Sequence, residues 1–217
     1  MRLYLSSYKL GNRPEQMLPL IKGAKRTAII MNAQDNVLPE RRLERLQEEV
    51  DNLTHLGLKP EELDLRAYFG KTDELRKRIE QYDYFWVRGG NVFLLRRAYE
   101  QSGFDGLLVE LLKGDKAAYG GFSAGICILA PSLRGVELVD PKDDVSHGYN
   151  PAVVWSGLGI LDYAIAPHYK SEHPESADID KYVEYCQENN MPYKTLRDGE
   201  AIIINGEEIT SSSLINK

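Results

Sequence analysis

The sequence has little cysteine, no excess of positive charge and no long apolar run, and each absence excludes a class of function. Cys127 and Cys186 are its only cysteines, and neither lies in a C-x-x-C motif, so neither a disulfide framework nor a zinc site is indicated. The net charge of -6 at pH 7 offers no electrostatic footprint for nucleic acid or an anionic membrane. No apolar run approaches the length of a membrane span, and the N-terminal MRLYLSSYKLGNRPEQ lacks the apolar core of a signal peptide. We therefore expect a cytoplasmic protein whose partners are small solutes.

The remaining composition is that of a globular protein, and its patterns predict an α/β fold. With 217 residues, 42% of them hydrophobic, the chain fits one domain spanning residues 1–217. Apolar strand-like runs alternate with helical patterns, as in RLYLSS before PEQMLPLIKG and YFWVRGG before NVFLLRRAYEQ. Further strands are predicted at TAIIMN, LDLR, 117–119, DYAIAP, YKTL and EAIIING, with a turn at 205–206. Repeated βα units predict a mostly parallel sheet with right-handed crossovers and helices on both faces.

The stretch YGGFSAGICILAPS at 119–132 contains a G-x-S-x-G motif centred on Ser123. A sharp strand-to-helix turn crowds the backbone, which explains glycine at positions 121 and 125 on either side of a nucleophilic serine. A helix that begins at the serine directs its positive end and free N–H groups toward an oxyanion, with the N–H of Ala124 as first donor. A serine at a helix N-terminus is also an ordinary cap, so the motif alone leaves packing and catalysis both open.

A second loop, Arg88-Gly89-Gly90-Asn91, follows the predicted strand YFWV and opens the next helix. It is therefore expected at the carboxyl edge of the sheet, where open α/β sheets carry their sites. Gly90 could present its N–H toward the same point as Ala124, while Asn91 fits a helix N-cap. The loop lacks the G-x-G-x-x-G fingerprint of a dinucleotide site.

An activated serine needs a base, and a histidine base needs an acid to fix its tautomer. His168 closes the strand DYAIAP at the same edge as Ser123 and is the predicted base. The other histidines fit other positions, namely a helix end for His55 and loops for His147 and His173.

The acid is predicted in the polar, turn-rich loop between the serine and the histidine, at 135–150. Glu137 and Asp140 compete for the role, with Glu137 narrowly preferred, and Asp143 and Asp144 stay open. The acidic cluster lacks the glycine and the terminal glutamate of a calcium loop, so neither a metal nor a cofactor is expected.

The motifs GGN, G-F-S-A-G and APHY, in this order, resemble those of the serine peptidases of family S51, which include the bacterial dipeptidase E enzymes and the cyanophycinases. The likeness covers most of the chain and is most specific from the strand before Gly89 to His168. It implies a fold related to class I glutamine amidotransferases, a flavodoxin-like three-layer sandwich, with serine replacing cysteine at the elbow. It also implies Ser123 as nucleophile, His168 as base, and Gly90 and Ala124 as the oxyanion hole.

The same resemblance raises the question of substrate. Aspartyl dipeptidases select an N-terminal aspartate with an arginine downstream of the catalytic histidine, but residues 169–196 contain no arginine here. Aspartate preference is therefore not expected, although Lys170 or Arg88 could supply a positive charge. Arg88, Asn91 and Tyr169 are the predicted substrate-binding residues.

Together these features predict a serine exopeptidase that cleaves short peptides, above all dipeptides, through an acyl-enzyme. Three alternatives stay open. An α/β-hydrolase esterase shares the order serine, acid, histidine. A glutamine amidotransferase-like subunit would need an elbow cysteine, which Cys127 inside the predicted helix does not supply. A non-catalytic binding or regulatory protein would keep the fold without turnover; the oligomeric state is open, with a homodimer as one option.

Overall fold

Five of the seven strands in the main sheet run parallel in the computed structural model, which describes residues 1–206 and 208–212. The strands are β1 (Arg2–Ser6), β2 (Arg26–Ile30), β3 (Lys59–Glu62), β4 (Tyr84–Val87), β5 (Ala118–Phe122), β6 (Ala164–Ala166), β7 (Tyr193–Thr195), β8 (Ala201–Asn205) and β9 (Glu208–Ser212). The main sheet has the order β3-β2-β4-β5-β1-β8-β9, in which β8 and β9 are antiparallel, and β6 and β7 form a separate parallel pair. The mostly parallel α/β fold is as predicted.

The helices pack on both faces of this sheet. They are α1 (Pro39–His55), α2 (Thr72–Ile79), α3 (Val92–Ser102), α4 (Phe104–Lys113), α5 (Ala124–Cys127) and α6 (Ser176–Glu188). Neighbouring residues of β4 point to opposite faces, so Phe85 joins the apolar cluster under α2 to α6, while Trp86 joins the cluster under α1. Because helices cover both faces of the sheet, every residue of β1, β4 and β5 is buried. None of the described helices is both long enough and apolar enough to cross a bilayer.

Two elements differ from the prediction, a strand in its position and a helix in its type. The third strand is the polar segment Lys59–Glu62 rather than LDLR at 63–66, because it lies at the sheet edge and alternates between exposed and half-buried residues. Leu63 and Leu65 are buried, but Leu65 already belongs to a 3-10 helix, Leu65–Tyr68. The first predicted helix is also of the 3-10 type, Pro14–Leu20, and contains Pro19, which cannot donate a backbone hydrogen bond within an α-helix.

The antiparallel strand β8 determines what reaches the carboxyl edge of the sheet. Ser6, the last residue of β1, pairs with Phe122, the last residue of β5, and with Ala201, the first residue of β8. The segment that precedes β8 therefore lies at the same edge as the segments that follow β1 and β5. Open α/β sheets place their ligands at this carboxyl edge.

Candidate active site

Ser123 stands in a sharp turn between β5 and the short helix α5. Its backbone angles are φ 51 and ψ -121, a sparsely populated conformation for a residue with a side chain. A Cβ at Gly121 or at Gly125 would lie 2.5 or 2.4 Å from the carbonyl oxygen of Val87 on β4. The two glycines of the motif are thus required by contact with the neighbouring strand, and the turn between them holds Ser123 at the rim of a cleft.

Two backbone amides near Ser123 have no hydrogen-bond acceptor among residues 1–206 and 208–212. Within the described residues, the N–H groups of Gly90 and Ala124 donate to no other group. Gly89 packs against the serine, since a Cβ there would lie 2.7 Å from the Cβ of Ser123. Unbonded N–H groups next to a serine are the donors that an oxyanion hole needs.

The side chain of Gln34 fixes the orientation of the peptide that carries one of these amides. Its Nε2 donates to the carbonyl oxygen of Gly89 at 2.5 Å, and its Oε1 accepts from Arg45. Because the C=O and N–H of a trans peptide point in opposite directions, this bond turns the N–H of Gly90 away from Gln34. A side chain at Gly90 would collide with Gln34 and with the carbonyl of Ala33, at 2.4 and 2.3 Å, so glycine is required there.

His168 lines the same cleft and is held by a carboxylate that the sequence did not suggest. Its Nδ1 lies 2.7 Å from Oδ1 of Asp198, and its side chain is 1% exposed. Burial opposes ionisation of Asp198, but hydrogen bonds from His168 and Ser7 outweigh it and lower the pKa of that carboxyl. An ionised carboxylate only accepts hydrogen bonds, so Nδ1 carries the proton and Nε2 is the basic nitrogen.

A second histidine is stacked on the first. The rings of His168 and His173 are 3.7 Å apart and nearly parallel, at 8°. Burial and the proximity of His168 lower the pKa of His173, which favours its neutral form. Glu175 completes a group of metal-ligand type, with ligand atoms within 4.8 Å of one another. A metal must lie in the plane of each imidazole that binds it, and two stacked parallel planes share no such point, so this arrangement does not fit a shared ion.

The cleft between these groups has a volume of about 390 Å³ and carries both signs of charge. Arg45 and Arg88 line one part, and among the described residues Arg45 has no carboxylate within ion-pair distance. Asp144 and Glu175 line other parts, together with Asp140, whose pKa burial raises to about 7. A small zwitterionic molecule would find partners for both of its charges here.

Comparisons with known proteins agree with this geometry. Residues 37–212 match the model of peptidase family S51. The chain belongs to peptidase family S51. It is therefore a peptidase, and hence a hydrolase, as the motifs predicted.

Relatives of this S51 chain carry peptidase names. It is 27% identical over 162 residues to an uncharacterized peptidase of Listeria monocytogenes, covering 75% of each chain. It is 29% identical over 153 residues to peptidase E of Streptomyces coelicolor, covering 67% of this chain and 58% of that protein. The crystal structure of a candidate peptidase E protein from Listeria monocytogenes superposes with a TM-score of 0.75 at 24% identity, over 98% of each chain. A peptidase from an acI-B1 actinobacterium has a TM-score of 0.70 at 15% identity, over 98% of this chain and 88% of that one.

The two acids predicted for this peptidase's triad lie elsewhere. Glu137 accepts a hydrogen bond from the N–H of Gly135 at 2.6 Å, which closes its own loop. Asp140 accepts from the N–H of Val92 at 2.8 Å and so caps α3. Neither is bonded to His168, whose Nδ1 is occupied by Asp198. The structure therefore pairs His168 with Asp198, in the turn before β8, and with neither of the two predicted acids.

The predicted substrate-binding residues of this S51 chain divide into two groups. Arg88 and Asn91 line the cleft, although each also has a structural role. Arg88 pairs with the buried Glu49, and Asn91 caps α3 by accepting from the N–H groups of 93 and 94. Tyr169 does not line the cleft; its N–H donates to the carbonyl of Leu196. His55, Cys127 and His147 do not line the cleft, so none of these belongs to the site.

Proposed function

We propose that this S51 peptidase is a serine exopeptidase that cleaves short peptides, above all dipeptides, with Ser123, His168 and Asp198 as its catalytic triad. The observation that carries the proposal is the set of three features at one sheet edge: a serine in a strained elbow, a buried histidine bonded to an ionised carboxylate, and two unbonded amides. Each supplies one requirement of acyl transfer, namely nucleophile, base and oxyanion stabilisation.

In the first half of the reaction, Nε2 of His168 takes the proton of Ser123 Oγ as that oxygen attacks the scissile carbonyl carbon. The imidazolium that forms is stabilised by Asp198, and the N–H groups of Gly90 and Ala124 bind the oxyanion. The tetrahedral intermediate collapses when His168 gives its proton to the leaving amine. Water then attacks the acyl-enzyme by the same route, and Ser123 is released with the free acid.

The size and charge of the cleft support short substrates. Its volume of about 390 Å³ is at the small end of ligand pockets, which span about 300 to 1,000 Å³. Asp144 and Glu175 offer negative charge to the free ammonium group at the N-terminus of a peptide, and Arg45 offers positive charge to a carboxylate. A long polypeptide chain has these two charges too far apart to use both.

The test is reaction with a fluorophosphonate probe, followed by mapping of the labelled residue and a screen of a dipeptide library. Labelling confined to Ser123 and absent from Ser123→Ala, together with hydrolysis of dipeptides, is the expected result. Ser6→Ala, which removes another buried hydroxyl near the same strand ends, is the matched control and should label like the wild type. A folded wild-type protein that is not labelled would refute the proposal, and preferential turnover of p-nitrophenyl esters would favour an esterase instead.

A further inference from the structure

Ser7 is a fully buried polar residue that none of the motifs singled out. It follows the last residue of β1 and is 0% exposed. Its N–H donates to the carbonyl of Glu200 at 3.0 Å, so its backbone is fixed to the turn that carries Asp198. Because β1 lies between β5 and β8, Ser7 stands between the strand that leads to the nucleophile and the turn that holds the acid.

Three hydrogen bonds join Ser7 to the three members of the proposed triad. Its carbonyl oxygen accepts from the N–H of Ser123 at 3.2 Å. Its hydroxyl accepts from the N–H of His168 at 2.8 Å and donates to Oδ1 of Asp198 at 2.9 Å. The carbonyl of Leu196 lies 3.3 Å from the same hydroxyl, but a single proton goes preferentially to the closer, charged acceptor.

Both residues that Ser7 contacts through backbone N–H groups are conformationally strained. Ser123 has φ 51 and His168 has φ 58, values that residues with side chains adopt only when their surroundings hold them. The hydroxyl of Ser7 satisfies the N–H of His168 in this conformation, and it bonds the same carboxylate oxygen that holds the imidazole. Its loss would loosen the backbone and the ring of His168 together.

We propose that Ser7 is a positioning residue that locks His168 and Asp198 to the nucleophile turn, an inference that rests on the proposed function. Ser7→Ala removes both side-chain bonds but leaves the carbonyl contact to Ser123 in place. We expect kcat to fall about 10- to 100-fold with KM little changed, as small misplacements of catalytic groups do. Fluorophosphonate labelling of Ser123 should slow by a similar factor.

The pH profile separates positioning from a general loss of stability. In Ser7→Ala, Asp198 accepts one hydrogen bond fewer, so the pKa of its carboxyl is lowered less than in the wild type. The acid limb of the kcat/KM profile should therefore move to higher pH. Glu175, whose carboxylate is 3.9 Å from Nε2, His173 and Tyr8 also face His168, and all three are unchanged in the variant.

Two further variants make the test decisive. Ser7→Thr keeps the hydroxyl and should restore most of kcat, whereas Ser7→Cys keeps the size without a good hydrogen-bond partner and should stay impaired. Ser6→Ala is the matched control, because Ser6 is equally buried but, within the part of the chain that the structure describes, its hydroxyl bonds only the carbonyl of Tyr8, at 3.2 Å.

The outcomes distinguish the role of Ser7 from the proposed peptidase function on which it rests. Folded Ser7→Ala or Ser7→Cys with wild-type kcat, labelling rate and pH profile would overturn the role of Ser7 while leaving the triad intact. Equal losses in Ser6→Ala and Ser7→Ala would also overturn it, since they would reflect stability alone. A wild-type protein that neither labels nor hydrolyses peptides would refute the proposed function itself.

Discussion

Replacement of Asp198 by asparagine tests the acid of the proposed triad. The carboxylate lies 2.7 Å from Nδ1 of His168, and hydrogen bonds from His168 and Ser7 lower its pKa despite burial. Asparagine keeps the size but removes the charge that stabilises the imidazolium. It can also present an N–H to Nδ1, which would leave the proton on Nε2 and block acceptance of the serine proton.

The expected loss follows from this geometry. An aspartate-to-asparagine change in the triad of a serine protease lowers kcat by about 10⁴. The side chain of Asp198 is 24% exposed, so water compensates part of the lost charge. We therefore expect kcat to fall by about 10³, which corresponds to about 4 kcal/mol of transition-state stabilisation.

The assay is steady-state hydrolysis of a dipeptide substrate, with the rate of fluorophosphonate labelling as a second readout. Glu137→Gln is the matched control, because among the described residues that carboxylate hydrogen-bonds only the backbone N–H of Gly135 in its own loop, so kcat should be unchanged. Near-wild-type kcat in folded Asp198→Asn, or a thousand-fold loss in Glu137→Gln, would refute the assignment of Asp198 as the triad acid. Either result would favour an acid in the loop before His168.

Two further predictions concern Gln34 and Asp140, which both line the cleft. Gln34→Leu removes the bond that orients the peptide between residues 89 and 90, so kcat should fall by about 10²-fold, as when one oxyanion donor is lost. Gln47→Leu, on the exposed face of α1, is the control, and equal kcat values in the two variants would contradict the role of Gln34. Burial raises the pKa of Asp140 to about 7, well above that of an aspartate in the unfolded chain. Between about pH 4 and 7 the folded state therefore binds more protons than the unfolded state. The free energy of unfolding falls by up to about 1.4 kcal/mol per pH unit as the pH rises through this range. Asp140→Asn keeps an acceptor for the N–H of Val92 and should abolish this pH-dependent loss of stability. The difference in Tm between variant and wild type should therefore grow up to pH 7 and then level off. A difference in Tm that does not depend on pH would contradict the prediction.

The fold was predictable because its signals are local. Buried strands such as YFWV at 84–87 are continuous apolar runs, and the helices between them carry their own periodicity. The third strand was misplaced because an edge strand buries little: Lys59–Glu62 is polar, and the apolar residues that follow it turn into a 3-10 helix. Pairing with β2, which the local sequence does not encode, makes that segment a strand.

The site was predictable only where a motif implies backbone geometry. Gly121, Ser123 and Gly125 encode the elbow, because glycine is the only residue that fits against the carbonyl of Val87. His168 was found as the polar end of a strand near the same edge. Gln34 and Ser7 have no such signal, since each acts through a hydrogen bond to residues distant in sequence, 55 positions away in the case of Gln34 and Gly89.

The contact between Asp198 and His168 shows how sheet topology decides the composition of a site. In a wholly parallel sheet, only segments that follow strands reach the carboxyl edge. An antiparallel strand beside β1 reverses this rule, because it brings the segment that precedes it to the same edge. Asp198 lies three residues before β8, which pairs antiparallel with β1, and it thereby meets Ser7, at the end of β1, and His168. A sequence that predicts a terminal antiparallel strand after its candidate histidine therefore calls for a search of the preceding turn, here the stretch RDGE at 197–200, for the acid.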